Sequence, residues 1–213
     1  MSFYFTKTPN IVKPLASDLI WSFNSDNDKP VLYLTFDDGP VEGVTDRVLE
    51  ELNKFNAKAT FFCVGENVEK NPGLFNQISE QGHSVANHTF NHLNGWKTGN
   101  YSYYKNVLKA DGLIGSNLFR PPYGKITRQQ VKSLKKRFKI IMWDVLSGDF
   151  DVNITPERCL NNVIKASKPG SVIVFHDSQK AKGNIIEALP EVLKHFTEKG
   201  YIFKNISQYE KIR

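Results

Sequence analysis

Short β-rich runs alternate with helical stretches along most of this chain, and no other feature constrains its fold as strongly. The alternation predicts a parallel sheet whose strands are joined by right-handed helical crossovers. Seven runs rich in β-branched and aromatic residues are predicted as strands. They cover residues 31–36, 59–64, 83–87, 118–120, 139–144, 171–176 and 201–204.

A sheet of this kind closes either as an open doubly wound sheet or as a (β/α) barrel. The sequence has no GxGxxG after a predicted strand and no lysine-bearing phosphate loop, which disfavours the nucleotide-binding doubly wound sheet. We therefore predict an α/β fold with a barrel of about seven parallel strands. Helix starts are predicted at Asn71-Pro72 and Thr155-Pro156, and at Thr127, where Gln130 completes a capping box.

One domain accounts for the 213 residues, because no linker or internal repeat divides the chain. Residues 29–213 are expected to form that domain, and residues 1–28 to form an extension packed on the barrel. The first residues lack the basic start and the continuous apolar stretch of a signal peptide, and no run is long enough to span a membrane. The sequence thus predicts a soluble protein without the usual export signal and without a transmembrane segment.

Charge and cysteine content indicate neither nucleic-acid binding nor a disulfide framework. The formal net charge is +6, but the basic cluster on a predicted helix lacks the interleaved aromatic residues of a nucleic-acid surface, so we interpret it as a solvated face. This cluster comprises Lys132, Lys135, Lys136 and Arg137. The two cysteines, Cys63 and Cys159, are too few for a disulfide framework. Cys63 is predicted to lie in the core. No feature specifies an oligomeric state.

Two adjacent carboxylates, Asp37 and Asp38, follow the first predicted strand. Carboxylates at the end of a buried strand are costly unless a cation neutralises them. Because consecutive strand residues point in opposite directions, we predict different roles for the two, one binding a metal and the other free to move a proton. An ordinary Asp-Asp-Gly-Pro turn is the alternative interpretation.

Two histidines, His88 and His92, follow the third predicted strand. Their spacing of four predicts that they lie on the same side of a helical turn, where they can bind one ion. With one carboxylate they form a three-ligand set that leaves positions open for water and substrate. That pattern is typical of a catalytic metal site rather than of a closed structural one.

Further polar residues also follow predicted strands. The two prolines before Tyr123 are predicted to fix its amide in a direction that can stabilise an oxyanion. Seven polar residues fall at or just after the C-terminal ends of strands, the face on which barrel active sites are built. They are Asp37, Asp38, His88, His92, Arg120, Asp149 and His176.

Together these residues resemble the polysaccharide deacetylase family (carbohydrate esterase family 4, the NodB homology group) from about residue 29 to residue 207. The resemblance is carried by Thr35-Phe36-Asp37-Asp38-Gly39, His88-Thr89-Phe90-Asn91-His92 and Arg120-Pro121-Pro122-Tyr123. It implies a distorted NodB-like barrel and the release of acetate from N-acetylated, peptidoglycan- or chitin-like glycans. It also implies one divalent metal ion, zinc before cobalt, manganese or nickel, held by Asp38, His88 and His92.

The same resemblance implies roles for the remaining residues. Asp37 would be the base, paired with Arg120, while His176 would be the acid, oriented by Asp149, and the Tyr123 amide would bind the oxyanion. Two motifs depart from the family pattern: D-x-x-D-W reads Leu146-Ser147-Gly148-Asp149-Phe150, and L-x-H reads Val174-Phe175-His176. The implied catalytic set is intact, but an acyl pocket that includes Phe150 and Val174 differs from the usual one.

Two other functions are compatible with these residues. The same fold and metal could hydrolyse a different C–N bond, in a cyclic imide or a ureide. A non-catalytic glycan-binding module with a degenerate site is the second alternative, although the base Asp37 and the acid His176 are both present. Because the family often acts on cell-wall glycans while no signal peptide is seen, the compartment stays open.

Overall fold

Short parallel strands form a single curved sheet in the computed structural model, which describes residues 5–9, 11, 16–24 and 29–207. Within these residues the strand order is β5-β4-β3-β2-β1-β7-β6, and β8 pairs with the first residues of β1. The strands are β1 Val31–Asp37, β2 Ala59–Cys63, β3 Ser84–Asn87, β4 Leu118–Phe119, β5 Lys139–Ile140, β6 Val145–Leu146, β7 Val172–His176 and β8 Ile202–Phe203.

Helices cover the outside of the sheet and join successive strands, except between β5 and β6. The α-helices of the described chain are α1 Thr45–Lys54, α2 Gly65–Lys70, α3 Pro72–Glu80, α4 Asn100–Ile114, α5 Arg128–Leu134, α6 Pro156–Ala166 and α7 Lys182–Glu198, and a 3₁₀ turn spans Pro122–Gly124. The capping box of Thr127 and the cap of Thr155 are confirmed. The helix start at Asn71-Pro72 is also confirmed, but the Asn71 side chain makes no capping hydrogen bond, because it donates to the Pro40 and Asn67 carbonyls instead.

Strand β1 lies at the centre of the sheet and is buried along its whole length. Its alternate side chains enter two different clusters, Leu34 and Phe36 packing under the helices while Tyr33 packs on the opposite face. Burying a side chain of this size contributes roughly 1.5–3 kcal/mol. The alternation fixes the register of β1, and with it the position at which its terminal carboxylates emerge.

All seven predicted strands occur, but the predicted run 139–144 is only partly a strand. Beyond β5, the Ile141 and Met142 carbonyls accept hydrogen bonds from the Arg120 guanidinium rather than from a neighbouring strand. The chain then pairs with β7 as a separate strand, β6, which the sequence patterns did not predict.

Two N-terminal segments run along the edges of the sheet. Thr8 donates its amide to the Asp144 carbonyl, and Leu146 donates to Thr6, both at 2.9 Å. Ile20 makes two backbone hydrogen bonds beside β5, to Ile140 at 2.9 Å and from Met142 at 2.7 Å. The segments thus contact both β5 and β6, the edges that do not pair with each other. No helix in the described ranges is long and apolar enough to cross a membrane.

Candidate active site

Asp37, the last residue of β1, is held by a buried guanidinium. Its Oδ1 lies 2.6 Å from Nη1 of Arg120, and both side chains are nearly inaccessible to solvent. Arg120 also donates to Thr35 Oγ1 at 2.8 Å and packs on the Phe62 ring, 4.0 Å from its centroid. With the bonds to the carbonyls beyond β5, these contacts orient the guanidinium fully. The ion pair therefore holds the Asp37 carboxylate in one orientation.

Asp38, the next residue, has a left-handed backbone with φ of +86°. This conformation is rare and costs about 1–3 kcal/mol outside glycine. It directs the carboxylate away from Arg120 and toward the histidines, so that Oδ1 lies 3.1 Å from His92 Nε2 and 3.8 Å from His88 Nε2. The adjacent carboxylates thus have different partners, but the left-handed backbone of Asp38, which lies beyond the end of β1, separates them rather than the alternation of a strand.

The loop between His88 and His92 does not form the predicted helical turn. Its backbone is left-handed at Thr89, with φ of +66°, and at His92, with φ of +54°. Side chains rather than helical hydrogen bonds hold it: Asn87 Oδ1 accepts the Thr89 amide at 2.8 Å, and Asn106 Oδ1 accepts the Phe90 amide at 2.8 Å. The two histidines nevertheless converge, with their ring centroids 5.1 Å apart.

One ligand atom each from Asp38, His88 and His92 lies within 4.8 Å of the others. His88 Nδ1 is 2.8 Å from the Arg120 carbonyl, which places the ring proton there and leaves Nε2 free as a ligand. Burial lowers the pKa of His88 to about 4, so the ring is neutral. Asp38 Oδ1 is buried and faces His92 Nε2 at 3.1 Å, with no further donor among the described residues. A divalent cation would satisfy this oxygen, and the nitrogen-rich donor set fits zinc.

Tyr123 lies beside the histidines in the 3₁₀ turn, where its φ is +60°. Its hydroxyl is 3.1 Å from His92 Nδ1, and the two rings meet edge to face. Pro121 and Pro122 fix the preceding backbone. Among the described residues the Tyr123 amide has no acceptor, so it is free to donate to a ligand.

His176, at the end of β7, is bound to a buried carboxylate. Asp149 accepts His176 Nδ1 at 2.8 Å, the His176 amide at 2.7 Å and the Ser147 hydroxyl at 2.9 Å. Burial alone would lower the pKa of His176, but the charge of Asp149 and its hydrogen bond, with Asp38 and Asp37, raise it to about 9. His176 therefore carries a proton at neutral pH, with Nε2 free to donate it.

The predicted residues meet in one groove of about 600 Å³ at the C-terminal ends of the strands. Eight of them line it: Asp37, Asp38, His88, His92, Tyr123, Phe150, Val174 and His176. Arg120 and Asp149 lie behind the groove, where Arg120 binds Asp37 and His88, and Asp149 binds His176. The groove also contains Leu146, at which the motif departs from the family pattern, and four residues that no sequence pattern indicated, namely Lys125, Trp143, Ser178 and Lys180.

Asp177, which no sequence pattern indicated, is fully buried beside the site. Its carboxylate accepts the Gly39 amide at 2.9 Å and the Thr45 hydroxyl at 2.6 Å. Burial raises the pKa of Asp177 to about 8, although these two hydrogen bonds act to lower it. The available signal was an aspartate directly after the strand-terminal His176, but its partners are distant in sequence.

Known proteins of the family that the motifs resemble are similar to this chain. The sequence profile of the polysaccharide deacetylase family matches residues 24–137. A peptidoglycan-N-acetylglucosamine deacetylase of Bacillus cereus is 33% identical over 192 residues, which cover 86% of this chain and 69% of that protein. A second from the same organism is 31% identical and covers 85% of this chain and 89% of its own length.

Solved structures agree with the fold. A crystal structure of a peptidoglycan N-acetylglucosamine deacetylase superposes with a TM-score of 0.86 at 30% identity, covering 94% of this chain and 96% of that one. A pseudoenzyme of carbohydrate esterase family 4 from Bacillus anthracis has a TM-score of 0.78 at 26% identity, covering 89% and 67%. The expected distorted, NodB-like (β/α) barrel is thus confirmed. The family profile matches more than half of the residues of this chain. The chain therefore belongs to the polysaccharide deacetylase family.

Proposed function

We propose that this protein is a metal-dependent hydrolase that removes acetyl groups from N-acetylated glycans. One observation carries the proposal. A two-histidine, one-carboxylate ligand set lies beside a second carboxylate, Asp37, that is held by Arg120 and not by the ligand set. Relatives named peptidoglycan-N-acetylglucosamine deacetylases favour a substrate of the peptidoglycan or chitin type.

Asp38, His88 and His92 would hold the ion, with zinc favoured by the donor set and cobalt, manganese or nickel also compatible. When bound, such an ion supplies Lewis acidity, lowering the pKa of water and polarising a carbonyl. The chain prepares the ligands in advance, since the Arg120 carbonyl fixes the tautomer of His88 and the Tyr123 hydroxyl contacts the ring of His92.

Asp37 is the proton acceptor in this proposal. Its Oδ2 lies 3.9 Å from His88 Nε2, so the carboxylate borders the ligand set. Arg120 occupies Oδ1 at 2.6 Å and leaves Oδ2 for the proton of the attacking water. General base catalysis of this kind contributes roughly 10²–10⁴-fold.

Two groups act on the acetamide itself. The unpaired amide of Tyr123 donates to the oxygen of the carbonyl as negative charge develops, a contact worth about 3–4 kcal/mol. His176 protonates the departing nitrogen, because the bond between its Nδ1 and Asp149 holds the ring with Nε2 toward the groove. The C–N bond then breaks, and the products are acetate and a free amino sugar.

The acetyl methyl group needs an apolar pocket, and one wall of the groove provides it. Trp143, Leu146, Phe150 and Val174 line this part of the cavity. Leu146 occupies the position of the first family aspartate, so this wall carries one charge fewer than the family pattern. The difference bears on acyl preference and leaves the metal ligands unchanged.

Acetate release tests the proposal directly. Purified protein is incubated with N-acetylglucosamine oligomers and with peptidoglycan fragments, with and without a chelator, and then with zinc restored. We expect acetate and free amine in equal amounts, loss of both with chelator, and recovery with zinc. Cyclic imide and ureide substrates run in parallel should not be hydrolysed. Metal-loaded protein that binds the oligomers without releasing acetate would contradict the proposal.

A further inference from the structure

We propose that Asp177 is a positioning residue that aims the metal ligand Asp38 and couples it to the strand bearing His176. The inference rests on the proposed metal site. Asp177 directly follows His176 yet points toward the end of β1, where its carboxylate binds Gly39 and its own amide donates to the Asp37 carbonyl at 3.0 Å. Two contacts of one buried residue therefore bracket Asp38 from both sides.

The first of these contacts leaves no space for adjustment. A Cβ atom on Gly39 would lie 1.9 Å from Asp177 Oδ2, so the backbone approaches the carboxylate as closely as only glycine allows. The other side of the carboxylate is fixed by the Thr45 hydroxyl, which also accepts the Val41 amide at 2.8 Å. Thr45 of helix α1 and Gly39 of the turn after Asp38 thus donate to the same buried carboxylate, that of Asp177.

Asp38 needs such support because its left-handed backbone is unfavourable. Such a conformation persists only where its surroundings hold it. From the opposite side Asn67 donates to the Asp38 carbonyl at 2.7 Å. Asp177 is the support that comes from β7, and it therefore ties the metal ligand to the strand that carries the proton donor.

The expected consequence is a loss of metal affinity when the support is removed. Residues that orient metal ligands typically contribute about 10- to 100-fold in affinity or activity. Asp177→Ala removes both accepted hydrogen bonds, whereas Asp177→Asn retains an oxygen for the Gly39 amide. Thr45→Val removes the hydroxyl that fixes the carboxylate, and Thr45→Ser restores it.

The test is competition titration of zinc against a chromophoric chelator, with a matched control outside the site. Thr60→Val serves as control, since it also removes a buried hydroxyl that accepts a backbone amide, that of Ile206 at 2.9 Å. We expect Asp177→Ala to bind zinc about 10- to 100-fold more weakly and Thr45→Val to bind it less tightly than wild type. Asp177→Asn, Thr45→Ser and Thr60→Val should bind zinc as wild type does. The visible spectrum of the cobalt-loaded protein should change in Asp177→Ala and Thr45→Val, and in none of the other three variants.

Three results would overturn the assignment. One is unchanged zinc affinity in folded Asp177→Ala or, if that variant does not fold, in Thr45→Val. Another is an equal loss of zinc affinity in Asp177→Asn and Asp177→Ala, which would show that the hydrogen bond from the Gly39 amide is not what positions Asp38. The third is a wild-type protein that binds no zinc, which would contradict the proposed function as well. Zinc binding by wild type together with unaltered variants would contradict the positioning role alone.

Discussion

The two sides of β1 carry opposite kinds of chemistry. On the β2–β4 side, the ligand half of the site, Asp38 and His92 have left-handed backbones, and a buried Asp38 oxygen has no donor other than His92 among the described residues. On the β6–β7 side, the donor half, the Asp149 carboxylate accepts three hydrogen bonds, two of them from His176. In the proposed function a metal ion would complete the ligand half, whereas the donor half is held together by its own hydrogen bonds.

The pKa values of the histidines also differ between the ligand half and the donor half. Burial lowers the pKa of His88 to about 4, whereas Asp149 overcomes the effect of burial and raises the pKa of His176 to about 9. A neutral imidazole can bind a metal and a protonated one can act as an acid. The environment thus gives two residues of the same type opposite protonation states within one groove.

Among the substitutions that test this comparison, removal of one proposed metal ligand should reduce acetate release the most. His88→Ala takes away one of the three ligands, and with the metal the protein loses several kcal/mol of transition-state stabilisation, or about three orders of magnitude in rate. The assay is acetate release with metal content measured in parallel. His195→Ala, in helix α7 outside the groove, is the matched control and should keep both. Comparable rates for the two variants would break the distinction between the halves.

Asp37→Asn tests whether the second carboxylate moves a proton rather than binding the metal. We expect acetate release to fall about 10²- to 10³-fold while zinc still binds. Because Arg120 loses a charged partner in a buried pair, the free energy of unfolding should fall by about 3 kcal/mol, measured by urea denaturation. Loss of zinc together with activity would show that Asp37 is a ligand and that our division of the two aspartates is wrong.

Asp149→Asn tests the donor half. The amide cannot balance the charge on His176, so acetate release should fall about 10²-fold at pH 8 with zinc affinity unchanged. Asp18→Asn, which removes an exposed carboxylate paired with Lys135, should have no effect. A variant with wild-type rates at pH 8 would mean that His176 does not need Asp149 to hold its proton.

The smallest expected effects are shifts in histidine titration, followed by NMR of the metal-free protein. His176 should titrate near 9, and Asp149→Asn should lower that value by at least about one unit. Because the folded pKa exceeds the usual 6.5, this histidine stabilises the fold fully below pH 6.5, and the contribution is lost as pH rises through 9. For His88 the sign is opposite, with stability lost as pH falls from 6.5 toward 4. Similar titration of both rings would contradict the comparison.

Much of this arrangement was predictable from the sequence because it is local. β-rich runs located the strands, and the parallel sheet then placed residues after Asp37, Asn87 and Phe119 at one edge. The two aspartates have different partners, Arg120 for Asp37 and His92 for Asp38, but alternation along β1 is not the cause. β1 ends at Asp37, and the left-handed backbone of Asp38 turns its carboxylate toward the histidines.

What the sequence missed depends on contacts between distant residues. The bend after β5 exists because Arg120 binds the Ile141 and Met142 carbonyls, 21 and 22 positions along the chain. The histidines converge through left-handed residues held by Asn87 and Asn106, and no helical turn is needed. Asp177 reaches Gly39 across 138 positions, so no spacing pattern could reveal it.

The account depends most on one ion being held by Asp38, His88 and His92, and zinc titration by calorimetry measures that directly. We predict one zinc per chain in wild type and in Asp37→Asn, and no high-affinity zinc in Asp38→Ala, His88→Ala or His92→Ala. A wild-type protein without zinc binding, or binding that survives all three alanine substitutions, would contradict the account.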